Sequence, residues 1–174
     1  YHWDIMAKDN YNWWVERFHT LSQMVDTIRI DHFRGFAAYW AVDGKAENAK
    51  VGEWIKGPGL DFFKSIKAQL GSISIIAEDL GLITPDVEKL KHDCGFPGMK
   101  VLQFELYPSE QKNIGFVCSE NNIVYTGTHD NDTTIGWIEN SLLLEQKAIL
   151  TDHLHLYDPS PAELCGELMR SEEH

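Results

Sequence analysis

Residues 25–35 read VDTIRIDHFRG. The first six form a short buried strand built on Val25, Ile28 and Ile30. The last five crowd Asp31, His32 and Arg34 against a glycine, with Arg29 two positions ahead of the acid. A charged turn is one reading of that cluster and the rim of an active site is the other. The organisation of the rest of the chain decides between them.

Ahead of the strand, Trp14, Phe18, Leu21 and Val25 recur at helical spacing. Beyond it, a stretch containing Gly44, Gly52, Gly57 and Gly59 reads as loop. Phe62, Phe63, Ile66 and Leu70 then lay one apolar face along a helix that Gly71 ends. ISIIAE, residues 73–78, is the next strand-like run, and it closes on an acid. Thr84 offers an N-cap, Pro85 the first helical position, Asp86 and Glu88 an acidic first turn, and Gly95 a terminator. Residues 99–104 and 123–128 read as further strands and 142–156 as an amphipathic helix, with Pro159 and Pro161 as a break.

Strands alternating with helices predict an α/β fold whose parallel strands are joined by right-handed crossovers and covered on both faces. Asp31, Glu78 and the pair His129 and Asp130 each stand at the carboxyl end of an apolar run. That edge is where α/β folds build their sites. Steps of about fifty residues between these acids suit either two βα steps or one carrying an insertion.

Two carboxylates in unlike surroundings can divide the labour of glycoside cleavage, one ionised and attacking, the other protonated and donating. Arg29 lies on the same strand face as Asp31 and would keep it ionised. Glu78, after Ile75, Ile76 and Ala77, is expected in apolar surroundings that favour its neutral form. These roles predict a bell-shaped pH–rate profile and a carboxyl separation of roughly 5–5.5 Å.

With 43% apolar and 11% aromatic residues, 174 residues can bury a core, and residues 1–174 are expected to form a single, incomplete domain. A net charge of −12 argues against a nucleic-acid partner. No apolar run is long enough for a membrane span, and YHWDIMAKDN lacks the features of a signal peptide. Cys94, Cys118 and Cys165 are widely spaced and read as free thiols in a reducing, cytoplasmic setting. The acids of HDND lack an EF-hand frame, so no metal is expected there. A chain entering a helical pattern at Tyr1 reads as an internal piece of a longer one.

RIDHFRGFAAYWAV, GEWIKGPG, IIAEDLGLITPDVEKL, GFPGMKVLQFE and VYTGTHDNDTTIGW resemble, in this order, the core of amylomaltases, the 4-α-glucanotransferases of glycoside hydrolase family 77. The resemblance covers roughly residues 1–138. It implies part of a (β/α)8 TIM barrel of the α-amylase superfamily, about its fourth to seventh strands. It also implies transfer of α-1,4-glucan segments between maltooligosaccharides with retention, and no cofactor. By that match Asp31 would be the nucleophile, Glu78 the acid/base and Asp130 a third carboxylate holding the sugar hydroxyls. Arg29 would orient Asp31, and His129 would hydrogen-bond the sugar. The setting would be cytoplasmic, or a plastid in a plant.

Two departures stand out. Asp43 occupies a position commonly proline in the family, and LYPSEQKNIGFVCSEN lacks the Pro-His-Asn segment many members carry. Trp40 and Trp54 are candidates to stack on sugar rings, with packing the equal alternative. Trp3, Trp13 and Trp14 read as core, and His32 and Arg34 as structural. An amylase-type α-1,4-glucan hydrolase and a non-catalytic carbohydrate-binding module are the competing functions.

Overall fold

The structure, a computed structural model, describes residues 1–105 and 120–171. The chain packs as two compact units, Tyr1–Gly98 and Met99–His174.

In the first unit, helices α1 (Trp3–Lys8) and α2 (Asn12–Ser22) lead into β1 (Thr27–Ile30). The strand starts later than its sequence suggests because the Val25 N–H still bonds the Leu21 carbonyl, 3.1 Å away, and prolongs the helix end. After β1 comes a 3-10 turn, Phe33–Phe36, and then a hairpin where a loop was expected. Its strands β2 (Ala38–Ala41) and β3 (Glu53–Lys56) pair antiparallel, Trp40 opposite Trp54. Two of the glycines that read as loop, Gly52 and Gly57, meet close backbone approach: a Cβ on Gly57 would fall 2.4 Å from the Phe36 carbonyl oxygen. Helix α3 (Gly59–Leu70), ended by Gly71 at φ 76°, leads to β4 (Ser74–Ala77). Helix α4 (Pro85–Cys94) follows, with Thr84 extended at its N-cap and Gly95 left-handed after it, as the sequence predicts.

Strand β1 pairs parallel with β4 in the register Thr27–Ser74 to Ile30–Ala77. The long spacing between the two acids is therefore one crossover carrying an inserted hairpin. Burial alternates along both strands. Ile28, Ile30, Ile75 and Ala77 face the core, while Arg29 and Ile76 lie on the other, half-exposed face. Within this unit the sheet is thus packed on one face, not both. The core beneath it is aromatic. Phe33 and Phe62 are fully buried, Phe33 stacks on Phe63 at 5.6 Å, and Trp14 meets Phe62 edge-on at 5.5 Å. Trp3 and Trp14 join this core, but Trp13 is 49% exposed and carries the Arg17 guanidinium over its ring.

Strand β5 (Gly98–Val101) pairs with β6 (Asn122–Tyr125). The run read as a strand over 99–104 ends at Val101 and turns helical at α5 (Leu102–Glu105), with Leu102 and Gln103 buried. Helix α6 (Thr134–Gly136) continues into a π turn, Trp137–Ser141, followed by α7 (Leu144–His153) and α8 (Pro161–Ser171). Pro161 starts a helix where a break was expected. Ser160 and Glu163 cap it reciprocally, with the Glu163 N–H on the Ser160 hydroxyl and the Ser160 N–H on the Glu163 carboxylate. The core of this unit gathers Leu102, Trp137, Ile138, Leu142, Leu150, Leu164 and Leu168. Among the described residues no helix is long and apolar enough to cross a membrane.

Candidate active site

Asp31 and Glu78 are the residues immediately after two neighbouring, in-register parallel strands. By the same alternation Arg29 and Asp31 share a strand face, as do Ile76 and Glu78. The Arg29 guanidinium donates from Nη2 to Asp31 Oδ1 at 3.2 Å, the contact the sequence predicts. Asp31 is otherwise open, its side chain 68% exposed.

Glu78 is half-buried, and its carboxylate leans across to β1. Oε2 accepts the His32 backbone N–H at 2.7 Å and Oε1 accepts that of Leu80 at 2.8 Å. The apolar surroundings expected for this acid are therefore replaced by two backbone donors. The cause is the turn after β1: His32 takes a left-handed conformation at φ 49°, and its N–H meets Glu78. Main-chain bonds close the same junction, from Glu78 N to the Ile30 carbonyl at 2.9 Å and from Phe33 N to the Glu78 carbonyl at 3.0 Å. The adjacent Asp79 turns away to an ion pair with Lys91 of α4, and its side chain is 8% exposed. Of the two neighbouring acids, Glu78 is the one offered to the Asp31 edge.

The sequence RIDHFRG finds its explanation in this turn. Phe33 and Phe36 drop into the aromatic core and anchor it, leaving Asp31 and His32 outside. Arg34 lies over the Trp54 ring, 4.4 Å from guanidinium carbon to centroid, and donates to the Leu82 carbonyl. His32 acts through its backbone and Arg34 through its contacts with the hairpin and the loop, both as structural residues. Trp40 and Trp54 form a cross-strand pair at 5.5 Å, 40% and 52% exposed, with Trp40 Nε1 donating to the Ala49 carbonyl at 2.9 Å.

In the second unit, His129 and Asp130 sit four and five residues beyond β6 at the tip of a turn closed by its neighbours. Asn131 Oδ1 accepts from the Thr128 N–H at 3.0 Å and from its hydroxyl at 2.8 Å. His129 Nε2 and Asp130 Oδ1 are 3.4 Å apart, and both side chains are mostly exposed. Strand β6 ends at Tyr125, ahead of this turn. Gln103, 5% exposed, donates to the Asp132 carbonyl at 2.9 Å and lies under Gly127, where a Cβ would fall 2.8 Å from its Nε2. The sequence reading missed Gln103; an amide inside the apolar run VLQF was its only signal. Cys118 and most of LYPSEQKNIGFVCSEN lie outside the described residues, while Cys94 and Cys165 are free thiols.

A cavity of about 640 Å³ lies at the opposite end of β4, between α3 and α4, with Phe63, Ile73, Cys94 and Phe96 in its wall. None of the candidate acids lines it, so it is separate from the edge described here. Burial and the Asp93 charge push the Cys94 thiol up to about 12.

Over residues 1–172 the sequence matches the profile of glycoside hydrolase family 77, described as 4-alpha-glucanotransferase. The chain belongs to this family. It is 46% identical over 143 residues to the 4-alpha-glucanotransferase of Streptococcus pneumoniae, covering 82% of this chain and 28% of the relative. Against the chloroplastic/amyloplastic 4-alpha-glucanotransferase of Arabidopsis thaliana it is 48% identical over 138 residues, 79% of this chain and 24% of the relative. Among solved structures, amylomaltase from Streptococcus agalactiae in complex with acarbose matches with a TM-score of 0.86 at 38% identity, over 97% of this chain and 34% of that one. The chain thus spans about a quarter to a third of the length of these family members.

Proposed function

We propose that residues 1–174 are the acid-bearing part of a 4-α-glucanotransferase, moving α-1,4-glucan segments between maltooligosaccharides by double displacement. In this reading the Asp31 carboxylate attacks the anomeric carbon while Glu78 gives its proton to the glycosidic oxygen. The C1–O4 bond breaks, the leaving sugar departs with that proton, and a glycosyl ester remains on Asp31. The 4-hydroxyl of an acceptor then attacks the ester, Glu78 takes its proton, and the ester bond breaks as a new α-1,4 bond forms. Arg29 orients Asp31. His129 and Asp130 hold sugar hydroxyls, and Trp40 and Trp54 offer ring faces for stacking.

The observation that carries this reading is the parallel register of β1 and β4, which sets Asp31 and Glu78 on adjacent strands ~4.8 Å apart. Adjacent strand ends allow the two carboxyls to come within the roughly 5–5.5 Å gap of retaining enzymes. The two backbone bonds to Glu78 support a fixed position for the acid/base. Both units would belong to one partial (β/α)8 barrel domain, an architecture supported by the likeness to the streptococcal amylomaltase. A cytoplasmic setting, or a plastid in a plant, fits the bacterial and plastid relatives.

Full-length protein carrying these residues, incubated with maltotriose, should release glucose and build a ladder of longer oligosaccharides. Reducing ends that only rise in number, with no product longer than the donor, would mean hydrolysis and reject transfer.

A further inference from the structure

We propose that Arg34 is a positioning residue that fixes the loop holding Glu78 to the tryptophan-bearing hairpin, so that a sugar on the hairpin meets an acid/base in a set place. This rests on the acid/base reading of Glu78 given above.

Arg34 stands in the 3-10 turn between Phe33 and Phe36, both buried, so the core fixes its backbone. Its guanidinium spans two elements. One face lies over the Trp54 indole at 4.4 Å, and Nη1 donates to the Leu82 carbonyl. Leu82 belongs to the segment between β4 and α4, which also carries the Leu80 N–H that bonds Glu78 Oε1. Leu82 itself is 71% exposed, so at this residue the Arg34 bond is the tie, while Ile83 beside it packs against the core. Gly81, at φ 83°, lies between Leu80 and Leu82 and leaves the backbone free to move without such a tie. Lysine could supply the charge and one donor but no planar face to rest on the indole.

Loosening this tie should impair proton delivery by Glu78 more than substrate binding. Two donors separate the effects: maltotriose, whose departing sugar needs a proton, and α-maltotriosyl fluoride, whose fluoride departs with little acid assistance. The quantity to compare is kcat/KM in the full-length protein, which reports steps up to ester formation. Arg34→Gln should lower kcat/KM on maltotriose by about 30-fold, mostly in kcat, and on the fluoride by less than about 3-fold. Arg34→Lys should fall between, with the same preference for the fluoride, and decides the matter if Arg34→Gln does not fold by circular dichroism. Equal losses on both donors would show a packing role only and overturn the inference, as would wild-type rates in both variants. A wild-type protein inactive on both donors would overturn the functional reading itself, and the inference with it.

Discussion

The turn at residues 31–36 and the turn at residues 128–132 both present exposed acids beyond a strand, yet they are built in opposite ways. The first is anchored from below: Phe33 and Phe36 sit in the aromatic core, and Glu78 reaches in from the neighbouring strand to bond the His32 N–H. The second is closed from within, by Asn131 on Thr128 and Gln103 on the Asp132 carbonyl. Geometry in the first therefore depends on hydrophobic burial, which supports the whole unit. In the second it depends on a few hydrogen bonds that can be lost without unfolding anything.

Three substitutions test that contrast. Asp31→Asn should lower glucose release from maltotriose by about 10⁴-fold while leaving the thermal midpoint almost unchanged, since the Arg29–Asp31 pair is exposed. A large drop in the midpoint would show the acid to be structural. Phe33→Ala should cost about 3–5 kcal/mol of stability, read by chemical denaturation, and should take the Asp31 turn with it. If Asn131→Ala destabilised the protein as much as Phe33→Ala, the contrast would collapse; its expected cost is only about 1 kcal/mol, with a loss of transfer of about tenfold from a misplaced Asp130.

The smallest effect concerns Cys94, away from both turns. Its thiol is raised from the ordinary 9.0 to about 12 by burial and by Asp93. The folded value exceeds the unfolded one, so its contribution to stability is complete below pH 9 and is lost as pH rises towards about 12. Iodoacetamide at pH 8.5 should label Cys94 at least about tenfold more slowly in native protein than in guanidinium, followed by peptide mass. Equal rates would place the thiol at the surface.

The helix α4 was legible to the residue, because Thr84, Pro85 and Gly95 act through their own backbone and need no distant partner. The hairpin was not. Gly52 and Gly57 are required by chains coming within bonding distance, and nothing local distinguishes that from a loop. Proline misled in the same way at position 161, although SPAE carries the capping pattern that a closer look at spacing could have found. At the candidate site, the Arg29–Asp31 contact was readable from a separation of two along one strand, whereas Gln103 and the Arg34 bridge were not.

The sequence by itself determined the alternation of strands and helices, the acids at the strand ends and the capping of α4, since each depends on residues a few positions apart. Only the tertiary structure decided that β1 and β4 are neighbours, that Glu78 is held by His32 and Leu80 rather than by apolar side chains, and that Arg34 joins hairpin to loop. Apart from the Leu80 bond, those contacts link residues twenty or more positions apart, and one turns on a left-handed backbone at His32. Register and chain reversal create them, and neither is written in local periodicity.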